Sequence, residues 1–177
     1  MLSFQRIASI VKGKVLSSQQ DFIIENYVFD SRNALFTSNT LFLAIKGKLN
    51  DGHHFIPELY RAGIRNFIVE RKTEPLEGAN VLQVENTIDA LQKIAEAYRS
   101  QFDLPVLGIT GSNGKTILKE WLSQSLSRKF NLVKSPKSYN SQVGVPLSVW
   151  QLEKEHELAL IEAGISEPGE MGRLEKV

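Results

Sequence analysis

The sequence contains no cysteine, which excludes disulfide bonds and cysteine-ligated metal sites. It has no apolar run long enough to cross a membrane, and Gln5 and Arg6 interrupt the apolar stretch that a signal peptide would need. Neither sign of charge is in marked excess, and a net charge of +1 gives no reason to expect nucleic acid or an acidic surface as partner. These absences predict a soluble, cytoplasmic protein, and its 42% hydrophobic residues are enough for a core.

The most informative stretch is residues 105–116, which read PVLGITGSNGKT. The pattern predicts a short buried strand, a glycine loop and the start of a helix, which is the context of a phosphate-binding loop. Glycines let the backbone approach an anion closely, and the free N–H groups at a helix start point at it. We expect Lys115 to reach the outer phosphates of a nucleotide and the Thr116 hydroxyl to ligate Mg²⁺.

The strict form of that loop is G-x-x-x-x-G-K-[ST], and this sequence has Ile109 where its first glycine would stand. An ordinary glycine turn followed by a chance Lys-Thr pair is the competing interpretation. We disfavour it because the flanking strand and helix both fit. The predicted helix carries an apolar face, expected to be buried, made of Leu118, Trp121, Leu122 and Leu126.

Strand and helix patterns alternate along the rest of the chain, which predicts an α/β fold with parallel sheets. Predicted strands cover residues 22–29, 40–45, 64–69 and 81–84. A short helix is predicted at residues 55–62, and Ser3 and Thr87 are predicted to cap two others. Residues 100–105 are predicted to separate a first domain, residues 1–102, from a second, residues 103–177.

The second domain has further strand patterns near residues 132–133 and 158–161, and helices after Pro146 and Pro168. About three strands are too few for a doubly wound sheet with both faces covered. We therefore expect these residues to be the front part of a longer protein, and the second domain to be incomplete.

Glu162 follows the last of these strands. The carboxyl ends of parallel strands share one sheet edge, so the Glu162 carboxylate should lie near the loop before Lys115. A carboxylate at that place can hold a Mg²⁺ ion that bridges ATP phosphates. The alternative is a glutamate that is only solvated at a strand end.

The motifs TGSNGKT, YNSQVGVP and IEAGISEPGE, in this order and spacing, resemble the central ATPase domain of the Mur ligases. FDSR and TLFLAIKGKLNDGHHFIPELYRAGIRNFIVE resemble the N-terminal domain of the same family, which holds the uridine-diphosphate end of the substrate. The resemblance implies a small N-terminal α/β UDP-sugar-binding domain followed by the truncated start of a P-loop parallel-sheet ATPase domain. It is greatest to the members that act on UDP-N-acetylmuramoyl-tripeptide and D-alanyl-D-alanine, in the form that some bacteria fuse to an alanine racemase.

Matching positions imply the roles of individual residues. Thr116 and Glu162 would help to hold Mg²⁺, and Asn140 would line the cleft near the reacting groups, with Lys115 and Asn140 as the catalytic residues. The residues that would bind the ATP phosphates are Gly111, Ser112, Asn113, Gly114, Lys115 and Thr116. The candidates for contacting the UDP-sugar are Ser31, Arg32, Lys48 and Asn50. Two positions depart from the family pattern, Ile117 and Ser141, which puts a role for Ser141 in doubt.

The resemblance implies an ATP-dependent, Mg²⁺-requiring ligase of peptidoglycan synthesis that is a monomer at full length and forms an amide bond through an acyl phosphate. Residues 1–177 alone are expected to be inactive. Other possibilities stay open: another Mur ligase, a folylpolyglutamate synthetase, or a nucleotide-binding module without catalysis. A P-loop kinase is also possible, but it would give no reason for the DSR segment.

Overall fold

The structure is a computed structural model that describes residues 1–29, 37–47 and 50–177. The backbone divides into two compact units, Met1–Ala90 and Leu91–Val177. The dividing point lies inside a helix, Thr87–Arg99 (α3), and upstream of residues 100–105. The reason is that Ala95, on the second half of this helix, is fully buried in the same core cluster as Leu104 and Val133.

The first unit contains helices α1 (Phe4–Val11) and α2 (Ile56–Arg61), with a 3-10 turn at Gly52–Phe55 before α2. Ser3 caps α1 as predicted, since its hydroxyl accepts a hydrogen bond from the Arg6 N–H at 3.2 Å. The predicted cap at Thr87 is wrong. The Asn86 side chain caps α3 instead, by accepting from two backbone N–H groups in its first turn.

A mixed sheet of five strands forms the centre of the first unit, in the order β2-β7-β6-β5-β4. Strands β4 to β7 are parallel to one another, and β2 is antiparallel to β7. A separate antiparallel pair joins β1 and β3. The strands are β1 (Leu2–Ser3), β2 (Lys14–Ser17), β3 (Ile23–Ile24), β4 (Asn26–Val28), β5 (Thr40–Leu43), β6 (Asn66–Val69) and β7 (Asn80–Gln83).

Strands β2, β3 and β4 differ from the sequence-based prediction. The single strand expected at residues 22–29 is two short strands, β3 and β4, which belong to different sheets. Strand β2 was not predicted, because it is largely exposed and its only large apolar positions are Val15 and Leu16. The core of the unit forms where fully buried side chains of β5 and β6, including Phe42 and Phe67, meet Ile56 and Leu59 of the α2 helix.

The second unit contains a three-stranded sheet, all parallel, in the order β8-β10-β9. Its strands are β8 (Val106–Ile109), β9 (Leu132–Lys134) and β10 (Leu158–Glu162). Its helices after α3 are α4 (Lys115–Leu126), α5 (Gly144–Val149) and α6 (Glu170–Leu174). The predicted α/β class and parallel sheets are confirmed. In the part of the chain that the structure describes, no helix has the length and apolar character needed to cross a bilayer.

Much of the apolar surface predicted to be buried in β8 and α4 is exposed, although Leu122 and Leu126 are half-buried. Val106 and Leu107 of β8 are 42% and 41% exposed, and Trp121 of α4 is 66% exposed. Strand β8 lies at the edge of its sheet, and α4 buries a different face, formed by Lys119 and Ser123. The buried face brings Lys119 to within 3.4 Å of Glu162, a predicted site residue.

Candidate functional site

The glycine loop lies between β8 and α4, as predicted. Strand β8 ends at Ile109 and the α4 helix begins at Lys115, with Gly114 at its N-cap. Gly111 and Gly114 have φ angles of 144° and 76°, which side chains disfavour. The loop is exposed to solvent, so its backbone is open to an incoming anion at the N-terminus of a 12-residue helix.

Lys115 lies across this loop rather than away from it. Its Nζ donates a hydrogen bond to the Gly111 carbonyl oxygen at 2.7 Å. The ammonium group is thus held beside the same backbone that an anion would approach. A phosphate in the loop would replace a neutral carbonyl as its partner and give a stronger, charge-assisted hydrogen bond.

Glu162 is the last residue of the central strand, β10, and its side chain is 1% exposed. The Thr116 hydroxyl donates to the carboxylate, with distances of 3.0 Å and 2.9 Å to Oε1 and Oε2. The Asn140 side-chain amide donates to Oε1 at 2.8 Å. The structure therefore brings together three predicted site residues and excludes a merely solvated Glu162.

Lys119 also belongs to this cluster, and the sequence analysis missed it. It is fully buried, and its Nζ donates to the Ser135 carbonyl oxygen at 2.8 Å and to the carbonyl oxygen of Lys137. It also lies 3.4 Å from Glu162 Oε2. A signal for Lys119 exists in the sequence, because Thr116, Lys119 and Ser123 recur at the three- and four-residue spacing of one helix face.

Ser135 and Gly164 complete the surroundings of the carboxylate. The Ser135 hydroxyl accepts from the Glu162 N–H at 3.0 Å, which fixes the backbone at the end of β10. The Gly164 N–H donates to the Asn140 carbonyl oxygen at 2.7 Å. A Cβ atom on Gly164 would lie 3.1 Å from Asn140 Cγ, so the absence of a side chain there leaves room for Asn140.

Ser141, whose role was in doubt, has a local structural task. Its hydroxyl accepts hydrogen bonds from the N–H groups of Val143 and Gly144, at 3.4 Å and 3.1 Å. The side chain therefore satisfies two backbone N–H groups at the start of the α5 helix, and neither of these hydrogen bonds involves Glu162.

The donor set fits a Mg²⁺ ion that arrives with a nucleotide. Thr116 and Glu162 offer the hydroxyl and carboxylate oxygens that Mg²⁺ prefers. Within the described residues there is no group of three or more His, Cys, Asp or Glu side chains that could hold a metal. The Lys119 ammonium offsets the charge of Glu162. The site is therefore suited to an ion whose other ligands are phosphates and water, and not to a metal held by protein alone.

Of the residues predicted to contact the UDP-sugar, the structure describes Asn50. Ser31, Arg32 and Lys48 lie outside the described residues. Asn50 is exposed, and its carbonyl oxygen accepts from the Gly47 N–H at 2.8 Å.

Asp51 and His53 fix the end of the loop that carries Asn50. His53 Nδ1 lies 2.6 Å from Asp51 Oδ1, and His53 Nε2 accepts from the Glu70 N–H at 3.0 Å. Arg71 adds an ion pair to Asp51 at 2.9 Å. Burial raises the pKa of the Asp51 carboxyl, but the hydrogen bonds from His53 and the charge of Arg71 outweigh it and lower the pKa to about 2. Both ring nitrogens of His53 are thus occupied in holding the loop.

Comparison with known families gives two matches along the chain. The family model described as "Mur ligase family, catalytic domain" matches residues 29–99, and the one described as "Mur ligase middle domain" matches residues 109–177. Together they cover most of the chain. The second match includes the glycine loop, Asn140 and Glu162.

Individual relatives agree with this. The UDP-N-acetylmuramoyl-tripeptide–D-alanyl-D-alanine ligase of Synechocystis is 37% identical over 90% of this chain and 35% of its own length. The structure of UDP-N-acetylmuramoylalanyl-D-glutamyl-2,6-diaminopimelate–D-alanyl-D-alanyl ligase from Acinetobacter baumannii aligns with a TM-score of 0.83 and 32% identity over 96% of this chain and 38% of its own. MurF ligase from Thermotoga maritima in complex with ADP aligns with a TM-score of 0.76 and 35% identity over 88% of this chain and 36% of its own. The chain thus spans between 35% and 38% of the length of these three relatives.

Proposed function

We propose, from the premise that the chain belongs to the Mur ligase family, that the full-length protein is an ATP-dependent ligase that joins D-alanyl-D-alanine to UDP-N-acetylmuramoyl-tripeptide. This reaction would serve peptidoglycan precursor synthesis. The observation that carries the proposal is the arrangement of Thr116 and Asn140 around Glu162, beside an exposed glycine loop. The names of the aligned relatives and the ADP bound to one of them support the choice of substrates and of nucleotide.

In the proposed reaction a substrate carboxylate oxygen attacks the γ-phosphorus of ATP. A new bond forms between this oxygen and the γ-phosphorus, the bond between the γ-phosphorus and the β,γ-bridging oxygen breaks, and ADP leaves. The amine of D-alanyl-D-alanine then attacks the acyl carbon, phosphate leaves and the amine loses a proton. The protein contributes mainly positioning and charge stabilisation in the first step.

Each part of the loop has a task in that step. The backbone of residues 111–116 and the Lys115 ammonium bind the phosphates, with Lys115 exchanging the Gly111 carbonyl for phosphate oxygens. Thr116 and Glu162 would hold Mg²⁺, which would neutralise phosphate charge when bound. Asn140 lines the same cleft and keeps the Glu162 carboxylate oriented through its hydrogen bond.

We assign residues 1–102 to the domain that binds the UDP-muramoyl end of the substrate and residues 103–177 to the first part of the ATP-binding domain. The two family matches, residues 29–99 and 109–177, fall on either side of this boundary. Ser31, Arg32, Lys48 and Asn50 are the proposed UDP-sugar contacts. Titrating ¹⁵N-labelled residues 1–177 with a UDP-N-acetylmuramoyl compound should shift the amide signals of Asn50 and its neighbours. Unchanged signals there would contradict this placement.

The decisive experiment measures phosphate release from ATP by the full-length protein with UDP-N-acetylmuramoyl-tripeptide and D-alanyl-D-alanine. Turnover should require both substrates, and residues 1–177 alone should show none. Turnover with a single amino acid in place of the dipeptide would identify another ligase of the family. Nucleotide binding without turnover on any acceptor would identify a non-catalytic module.

A further inference from the structure

Lys119 is a fully buried lysine in a helix whose apolar residues are largely exposed. Taking an ammonium group out of water is costly unless it is paired and hydrogen-bonded. Here the Nζ donates to the carbonyl oxygens of Ser135 and Lys137 and lies 3.4 Å from Glu162 Oε2. The surroundings of this group are thus built from polar partners.

These partners come from three separate parts of the second unit. Lys119 belongs to α4, Ser135 and Lys137 follow the end of β9, and Glu162 ends β10. Lys137 has a φ of 48°, a conformation that residues with a side chain rarely adopt. This conformation occurs at the residue whose carbonyl oxygen accepts a hydrogen bond from the buried Lys119 ammonium.

A second link joins α4 to β9 beside Lys119, whose Nζ lies 3.7 Å from Glu120 Oε1. Glu120 of α4 forms an ion pair with Lys134 of β9 at the partly exposed surface. The hydrogen bond and charge of Lys134, together with the nearby Lys119 ammonium, lower the pKa of the Glu120 carboxyl although burial acts to raise it. The Glu120–Lys134 pair has no contact with Glu162 among the described interactions. Of these two lysines, the described interactions place Lys119, and not Lys134, in contact with the Glu162 carboxylate.

We propose that Lys119 is a positioning residue for the metal and phosphate site. Its ammonium group fixes the Glu162 carboxylate in the orientation that faces Thr116 and Asn140. The consequence for Mg²⁺ and nucleotide rests on the proposed function, whereas the effect on the carboxylate does not.

The first test uses residues 1–177 without metal or nucleotide. The Asn140 side-chain amide donates to Glu162 Oε1 at 2.8 Å, so its NMR signals report the carboxylate orientation. In ¹⁵N-labelled protein, with the signals identified by Asn140→Asp, Lys119→Met should shift them towards those of a solvated amide. Lys134→Met, which breaks the surface pair, should leave them in place. Unchanged Asn140 signals in a folded Lys119→Met protein would overturn the proposal.

The second test uses calorimetry to measure ADP binding by the full-length protein at a series of Mg²⁺ concentrations. Lys119→Met should raise the Mg²⁺ concentration for half-maximal binding by roughly tenfold or more, the usual effect of losing a residue that orients a metal ligand. The sign is informative, because removing a positive charge without disturbing the carboxylate would instead lower that concentration. A lowered or unchanged value would overturn the proposal.

A double variant keeps the proposal testable if Lys119→Met alone does not fold. Lys119→Met combined with Glu162→Gln removes both charges of the buried pair, and so leaves no uncompensated ion. If Lys119 acts through Glu162, adding Lys119→Met to Glu162→Gln should change the Mg²⁺ requirement by less than about threefold. A full tenfold change in that background would overturn the proposal. The variants could show the predicted changes in Mg²⁺ requirement in a protein that has no ligase turnover. That result would support the role of Lys119 and overturn only the proposed reaction.

Discussion

Thr116 and Glu162 are 46 residues apart in the chain, and yet the hydroxyl of one donates to the carboxylate of the other, at 3.0 Å and 2.9 Å from its two oxygens. One residue is in the first turn of the helix after the glycine loop, and the other ends the central strand. This pairing is the geometric centre of the candidate site. It can be tested by changing either residue or the groups that hold them.

Thr116→Val keeps the shape of the side chain and removes the hydroxyl. We expect it to raise the Mg²⁺ concentration needed for half-maximal nucleotide binding in the full-length protein by about tenfold, through the loss of one oxygen ligand. Thr116→Ser keeps the hydroxyl and is the matched control, with an expected change of less than about threefold. Equal behaviour of the two variants would show that the hydroxyl does not ligate the ion.

Lys115→Ala removes the ammonium group from the loop. In the full-length enzyme we expect a loss of roughly 2–4 kcal/mol of transition-state stabilisation, the scale of one preorganised electrostatic donor. Steady-state phosphate release gives kcat for this comparison. Lys129→Ala, at an exposed position beyond the end of α4, is the control and should leave kcat unchanged. A kcat for Lys115→Ala close to that of the wild type would rule out the assigned role.

Gly164→Ala tests whether the room beside Asn140 matters. The new Cβ would lie 3.1 Å from Asn140 Cγ, so Asn140 must move and its hydrogen bond to Glu162 should weaken. We expect kcat to fall by about tenfold while the thermal unfolding midpoint changes little. Gly172→Ala, where an added Cβ meets nothing within 4 Å, is the matched control. Similar activities of the two variants would contradict the prediction.

Asp51→Asn tests the support of the loop in the first unit. The pKa of Asp51 is lowered from 3.8 to about 2 in the folded state. A lowered carboxyl pKa stabilises the fold above the unfolded-state value, and that stability is lost as the pH falls towards the folded-state value. At pH 7 the substitution should therefore cost about 1–2 kcal/mol, after allowance for partial exposure.

The measurement for Asp51→Asn is urea unfolding of residues 1–177 at several pH values. The difference in free energy of unfolding between the wild type and the variant should be constant from pH 7 to about pH 5 and should shrink below about pH 4. Glu74→Gln, at an exposed position, serves as the control and should differ little from the wild type. A difference that stays constant down to pH 3 would contradict this account of Asp51.

The class of fold and the positions of the glycine loop and of Glu162 could be predicted from the sequence. Strand, loop and helix at residues 106–126 are local features, fixed by apolar periodicity and by glycines with positive φ. The placement of Glu162 near Thr116 also follows from sequence, because parallel strands end at one sheet edge. These conclusions need no knowledge of which side chains pack together.

The buried face of α4 and the surroundings of the Glu162 carboxylate could not be predicted, because both depend on how distant elements pack together. Sequence periodicity favoured the face with Leu118 and Trp121, but burial depends on where neighbouring elements lie, and the sheet contacts the face with Lys119 instead. A lysine is ordinarily assigned to the surface, because burying its charge is costly. Its partners offset that cost here, and Ser135, Lys137 and Glu162 meet it only once β9 and β10 have assembled.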